Sequence, residues 1–157
     1  PYALAALRGA KASGAATIAI ANNAPAPLLG EADIAIHLST PPEIIAGSTR
    51  MGAGTAQKIA LNMISTLTAI RLGHVHDGEM VNLKADNAKL RQRANRIVCA
   101  ISKCTHEQAE RHLEAAEGSV KVAILLAAGA PNSQQALDML AASGQALRPA
   151  LQHLQQT

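Results

Sequence analysis

Two short apolar segments and one long helical period organise the first half of the chain. Residues 16–21 (ATIAIA) and 33–38 (DIAIHL) contain β-branched isoleucines, which predicts a buried strand over the first segment and a second strand over the other. A helical spacing of apolar residues over 2–13 precedes the first strand. The order helix, strand, short connection, strand is typical of the late part of a parallel α/β sheet. Because two strands alone do not make a stable sheet, we expect further strands from preceding chain or from a partner chain.

From residue 49 onward the apolar positions recur every three or four residues. This spacing predicts one amphipathic helix over 49–72 that ends at Gly73. Residues 74–86 have no clear period, and we interpret them as a connecting segment. Helical spacing returns over 87–103, and the last third breaks into short helices with capping signals, including a capping box at Thr105. Helices this short fold by packing on one another, which predicts a small all-α bundle. We therefore divide the chain into two predicted domains, 1–82 and 83–157, of which the second contains a helical linker and this bundle.

Composition narrows the functional classes. Of the 157 residues 48% are hydrophobic and 16% charged, which predicts an ordered protein. Tyr2 is the only aromatic residue, whereas modules that read single-stranded nucleic acid stack bases on aromatic side chains. The longest apolar stretch, 122–130, is far shorter than the roughly 18 residues of a membrane span, and no signal-peptide pattern opens the chain. We therefore predict a cytoplasmic protein with no nucleic-acid and no membrane partner.

Clusters of charged or metal-binding residue types have ordinary interpretations here. The basic cluster over 84–96 is interpreted as a solvated helix face or a subunit contact, with a nucleic-acid contact as the alternative. Cys99 and Cys104 are five residues apart, so on a helix their side chains would point about 140° from each other, and we expect reduced thiols. The histidines and cysteines lack the paired spacing of a zinc site, so no metal is expected.

The most informative segment is 42–58, which joins the end of the second predicted strand to the long helix. Open α/β sheets bind ligands at this place. Backbone N–H groups, Ser48, Thr49 and Arg50 converge there as a candidate anion site, although neither a P-loop nor a dinucleotide fingerprint is present. The alternative is an ordinary helix start with Ser48 or Thr49 as N-cap. Glu43 is a candidate proton-transfer group, with a solvated loop carboxylate as the alternative.

Two strings carry a family resemblance: PPEIIAGSTRMGAGTAQKIALNMIST, and IRLGHVHDGEMVNLKADNAKLRQRANRIV after it. They resemble the N-acetylmuramic acid 6-phosphate etherase family and its relative, the glucokinase regulatory protein. The resemblance runs from Tyr2 to the C-terminus and corresponds to the later half of the family's sequence. It implies an α/β fold: the end of a doubly wound parallel sheet of the sugar isomerase (SIS) type, followed by a helical bundle similar to ubiquitin-associated domains. Because the chain opens on Pro1 without Met, we expect a longer natural protein.

The resemblance also implies an activity. The family cleaves the D-lactyl ether of N-acetylmuramic acid 6-phosphate, giving N-acetylglucosamine 6-phosphate and D-lactate within peptidoglycan recycling. Elimination and hydration are the implied steps, with no cofactor, in a homodimer. The family's glutamates and phosphate loop lie in its earlier half, so the chain alone is expected to be inactive. Glu43 is the implied catalytic residue, and Ser48, Thr49 and Arg50 are the implied substrate-binding residues.

Three positions depart from the family pattern: Gly52 replaces a usual lysine, and His74 and His76 replace residues more often lysine and tyrosine. A non-catalytic phosphosugar-binding regulator, as in the glucokinase regulatory resemblance, is the alternative function. A protein-interaction module built on the C-terminal bundle is a second alternative.

Overall fold

A computed structural model describes residues 1–155 and divides the chain into two compact units, Pro1–Ser65 and the residues from Thr66 onward. The division falls within the long helix, and the predicted domain boundary at 82/83 stays a prediction. The first unit is built from the elements α1 (Tyr2–Ala12), β1 (Ile18–Ala21), α2 (Pro27–Glu31), β2 (Ile34–His37) and the first part of α3 (Gly52–Arg71).

The two predicted strands form a small parallel sheet. β1 pairs with β2 in the register Ile18↔Ile34 to Ala21↔His37. At its start the Asp33 carboxylate accepts from the Thr17 hydroxyl at 2.7 Å and from the Thr17 backbone N–H at 2.8 Å. These bonds, the hydroxyl foremost, help to lower the pKa of Asp33 to about 2. The structure is thus α/β in a coarse sense, mostly helical with a small parallel sheet, and the doubly wound SIS-type sheet stays a prediction.

Much apolar surface of the first unit is uncovered. Ala19 is the buried residue of β1, whereas the paired Ile18 and Ile34 are 51% and 55% exposed. β1 was predicted to be buried, and it is so only at Ala19, because no second layer of the described residues covers the side of the sheet on which Ile18 lies. The 20-residue helix α3 likewise contains no buried residue. Exposed apolar faces on neighbouring elements are typical of surfaces that pack against further protein.

In the second unit, the end of α3 is followed by a hairpin that residue spacing did not predict. Strands β3 (Val75–His76) and β4 (Glu79–Met80) are antiparallel, with Asp77 and Gly78 in the turn between them. Both turn residues have positive φ, +48° and +80°. An Asp-Gly pair is a recognised signal for such a turn. Strands of two residues, however, are too short to leave a periodic pattern.

Five helices complete the second unit: α4 (Ala88–Ser102), α5 (His106–Ala115), α6 (Val120–Ala127), α7 (Ser133–Ala142) and α8 (Leu147–Gln155). α6 is the central helix, since every residue over 120–125 is buried. The capping box at Thr105 is confirmed, and the Asn132 side chain accepts from the Gln135 N–H as its spacing indicated. Among the described residues, no helix is both long enough and apolar enough to cross a membrane.

Candidate functional site

A cavity of about 750 Å³ lies where β1 and β2 end and α3 begins. We call it the β-end cavity and define it by its polar lining residues: Asn22, Asn23, Thr40, Glu43, Thr49 and Gln57. Its volume falls within the range of about 300–1,000 Å³ that is usual for small-molecule sites. The carboxyl ends of parallel strands are also where α/β proteins bind their ligands.

Glu43 caps the long helix from nine residues upstream. Its Oε2 accepts from the Gly52 N–H at 2.9 Å, and its Oε1 accepts from the Ala53 N–H at 3.0 Å. The helix begins at Gly52, three residues after the predicted start, and its side-chain cap is Glu43 rather than Ser48 or Thr49. The carboxylate of Glu43 therefore occupies two of the N–H groups that a free helix N-terminus would offer to an anion.

The same two bonds set the charge of Glu43. The backbone N–H groups of Ala53 and Gly52 lower the pKa of the Glu43 carboxyl, against a smaller opposing effect of burial. A hydrogen bond to the charged form favours that form. Glu43 is thus ionised and held in a fixed orientation at neutral pH, in the protonation state of a base.

The other three candidate residues are placed differently from one another. Thr49 lines the β-end cavity, and its carbonyl oxygen accepts from the Gly54 N–H at 2.8 Å. Ser48 is half-buried and Arg50 is exposed, and neither lines the cavity. The Arg50 side chain makes no hydrogen bond and no ion pair with any residue over 1–155. The structure thus brings Glu43 and Thr49 together at the cavity and leaves the Arg50 guanidinium available to a ligand.

Three polar residues that the sequence analysis did not select form a network at the cavity. Gln57 Nε2 donates to Asn22 Oδ1 at 2.6 Å. Asn22 Nδ2 in turn donates to the Leu38 carbonyl at 3.2 Å and lies 3.5 Å from Thr40 Oγ1. Asn22 therefore ties the ends of both strands to the start of α3. The available signal was its position directly after an apolar strand.

The chemically suggestive groups of the second unit are two cysteines, one of them beside a histidine, and a basic cluster. Cys99 Sγ lies 3.5 Å from His106 Nδ1, and both cysteines are free. Burial is the main cause that raises the pKa of the Cys99 thiol, so the reactive thiolate is disfavoured. Within residues 1–155 no three His, Cys, Asp or Glu side chains are grouped to hold a metal ion. In the basic cluster, Arg96 is paired with Glu79 at 2.8 Å.

The amino-acid sequence is similar to those of known proteins. No family model matches the chain. A protein of Erwinia tasmaniensis is 47% identical over 157 residues, which is 99% of this chain and 51% of that protein. Proteins of Streptomyces avermitilis and Deinococcus radiodurans are each 44% identical, over 96% and 92% of this chain and 49% and 47% of their own lengths.

All three relatives are named N-acetylmuramic acid 6-phosphate etherase. The chain spans about half the length of the curated relatives it matches. The resemblance drawn from the two sequence strings is thereby confirmed: over nearly its whole length, the chain is similar to proteins of the N-acetylmuramic acid 6-phosphate etherase family.

Proposed function

We propose that this chain supplies part of the catalytic apparatus of an enzyme that cleaves the lactyl ether of N-acetylmuramic acid 6-phosphate. The observation that carries the proposal is the match over 99% of the chain to a protein named for this activity. The β-end cavity supports it, because the cavity has the size of a small-molecule site and holds one oriented carboxylate at its edge.

The proposed chemistry is an elimination followed by hydration. A carboxylate removes the proton at C2 of the open-chain sugar, the C3–O bond breaks, and lactate leaves with the bonding electrons and takes up a proton on the departing oxygen. Water then adds across the new double bond, which gives N-acetylglucosamine 6-phosphate and D-lactate. Glu43 is our candidate for a proton-transfer step, since a general base must be deprotonated and within reach of the carbon acid.

Substrate contacts are assigned to the three candidate residues that follow Glu43 in the chain. Thr49 lies at the cavity and offers a hydroxyl group. Ser48 and Arg50 lie outside the cavity lining, and we assign them to the phosphate end of the substrate, where a guanidinium binds well. On this proposal, the complete enzyme is a cytoplasmic homodimer in amino sugar recycling. A segment that corresponds to the unmatched half of the relatives contributes the remaining catalytic groups.

A chimeric enzyme tests the proposal. The matching half of the Erwinia tasmaniensis relative is replaced by this chain, and D-lactate release from N-acetylmuramic acid 6-phosphate is measured. We expect release by the chimera and none by the 157-residue chain alone. A folded chimera that binds the substrate without releasing lactate would favour the regulator instead. A folded chimera that neither binds nor cleaves the substrate would overturn the proposal.

A further inference from the structure

The β-end cavity carries no positive charge. Among the described residues that line it, Glu43 is the only ionised side chain, and no Lys, Arg or His is present. A phosphate group that moves from water into a protein cavity needs cations or free N–H groups to replace its hydration. The lining therefore offers a phosphate group electrostatic repulsion rather than a counter-charge.

The start of α3 does not make up for this missing charge. The N–H groups of Gly52 and Ala53 would be the natural anion donors, and both already donate to Glu43. The carboxylate also interacts with the partial positive charge of the helix N-terminus, which amounts to roughly half an elementary charge. An incoming anion would have to displace a covalently tethered carboxylate.

What the cavity does offer is neutral amide and hydroxyl groups. Gln57 uses one Nε2 hydrogen on Asn22, so its second hydrogen and its Oε1 remain available. The Asn23 side chain has no hydrogen bond to any other residue over 1–155. Because Asn22 is fixed between the two strand ends, Gln57 is held in place by a bond of 2.6 Å. Neutral amides are suited to hydroxyl and acetamido groups, which present both donors and acceptors.

We infer that the β-end cavity binds the uncharged hydroxyl and acetamido groups of the amino sugar through Gln57 and Asn23, with Asn22 as the positioning residue, and that the phosphate is held outside this cavity. The identity of the sugar rests on the proposed function. The placement of the substrate's neutral groups inside the cavity and its phosphate outside rests on the residues that line the cavity. Specificity for the sugar then depends on Asn22, Asn23 and Gln57, to which the family resemblance assigned no role in substrate binding.

The inference is tested by ligand-observed NMR titrations of the 157-residue chain. The probes are N-acetylglucosamine, N-acetylglucosamine 6-phosphate and inorganic phosphate, each at low and at high salt. We expect N-acetylglucosamine to bind without salt dependence, since no ion pair contributes at the cavity, and N-acetylglucosamine 6-phosphate to gain a salt-dependent contribution from Arg50 outside it. Inorganic phosphate should not compete with N-acetylglucosamine.

Variants test the residue assignment. Gln57→Leu should weaken binding of both sugars by about 2- to 13-fold, the usual effect of one lost hydrogen bond. Asn23→Ala should act in the same direction, and its exposed position makes misfolding a poor explanation. Gln152→Leu on α8 is the matched control, because it removes an exposed glutamine far along the chain in the second unit. Far-UV circular dichroism shows whether each variant is folded.

Three results would overturn the inference. Binding that requires the phosphate would move the charged end into the cavity, while leaving the proposed etherase function intact. Unchanged affinities in Gln57→Leu and Asn23→Ala would remove the amide assignment. Binding of neither sugar would exclude the cavity as a sugar site in this chain, and lactate release by the chimera would still decide the proposed function separately.

Discussion

Gly73 is the position where one added methyl group has the most predictable cost. It has φ +68°, and a Cβ there would lie 2.7 Å from the Gln145 carbonyl oxygen and 3.0 Å from Ala146 Cα. That carbonyl cannot retreat freely, because the buried Lys121 Nζ donates to it at 2.7 Å. Burial lowers the pKa of Lys121, so the ammonium group depends on this partner.

The expected cost of Gly73→Ala has two parts. A left-handed conformation costs an L-residue about 1–2 kcal/mol, and forcing a methyl group into a packed contact costs about 1–3 kcal/mol more. We therefore expect a loss of about 2–5 kcal/mol in the free energy of unfolding, a large part of the roughly 5–15 kcal/mol of a typical domain. Urea unfolding followed by circular dichroism measures it.

Gly78→Ala is the matched control for this prediction. Gly78 has φ +80°, and nothing lies within 4 Å of its Cβ position, so only the conformational part applies. We expect Gly78→Ala to cost about 1–2 kcal/mol. If Gly73→Ala and Gly78→Ala lose the same free energy of unfolding, the contact between a Cβ at Gly73 and the Gln145 carbonyl adds no cost of its own. The prediction for Gly73→Ala would then be wrong.

Three further predictions concern the ligand, the pH and the uncovered surface. In the chimera, Thr49→Ala should raise the KM about 2- to 13-fold, the usual effect of losing a neutral hydrogen bond. Arg50→Ala should raise the KM about 10- to 150-fold, because a charge-assisted hydrogen bond is lost. Unchanged KM values would exclude these contacts. Burial lowers the pKa of His76 against the attraction of Asp77, with Arg148 adding to the lowering. The unfolded chain therefore binds the His76 proton first, and stability should fall as the pH drops below about 6.5, whereas His76→Gln should flatten this dependence in thermal melts. The exposed apolar faces of β1, β2 and α3 should make the isolated chain self-associate, which a monodisperse monomer in sedimentation velocity would contradict.

Local signals made much of the fold predictable. The apolar runs that became β1 and β2 and the long period of α3 follow from spacing alone. The caps at Thr105 and Asn132 follow from side chains that bond to backbone three residues away. In each case the interacting groups are neighbours in sequence, so a single chain is enough to recognise them.

The arrangement of the candidate site was not predictable in the same way. Glu43 caps α3 across nine residues, and Gln57 reaches Asn22 across thirty-five. Such contacts depend on how a loop folds back and on which strands lie side by side, and no residue spacing encodes them. The hairpin at Asp77 and Gly78 was missed for another reason, since its turn signal was present without strands long enough to support it.

Uncovered apolar surface explains the remaining difference between sequence and structure. The first strand was predicted to be buried because apolar runs with β-branched residues are usually covered on both faces in parallel sheets. Ile18 and Ile34 are instead about half exposed. An apolar pattern indicates what a strand is suited to pack against, whereas burial requires that the packing partner be present.

The proposed function gives this chain a working part of an etherase, with Glu43 in a proton-transfer role. D-lactate release is measured over a range of pH for two chimeras, one with Glu43 and one with Glu43→Gln. Circular dichroism first shows that both chimeras are folded to the same extent. We predict that the substitution lowers kcat about 10²- to 10⁴-fold and leaves the KM nearly unchanged. Because the pKa of Glu43 is lowered, the acid limb of the profile should lie below the usual range of a glutamate. An equal kcat in both chimeras would contradict the claim and leave Glu43 as a helix cap alone.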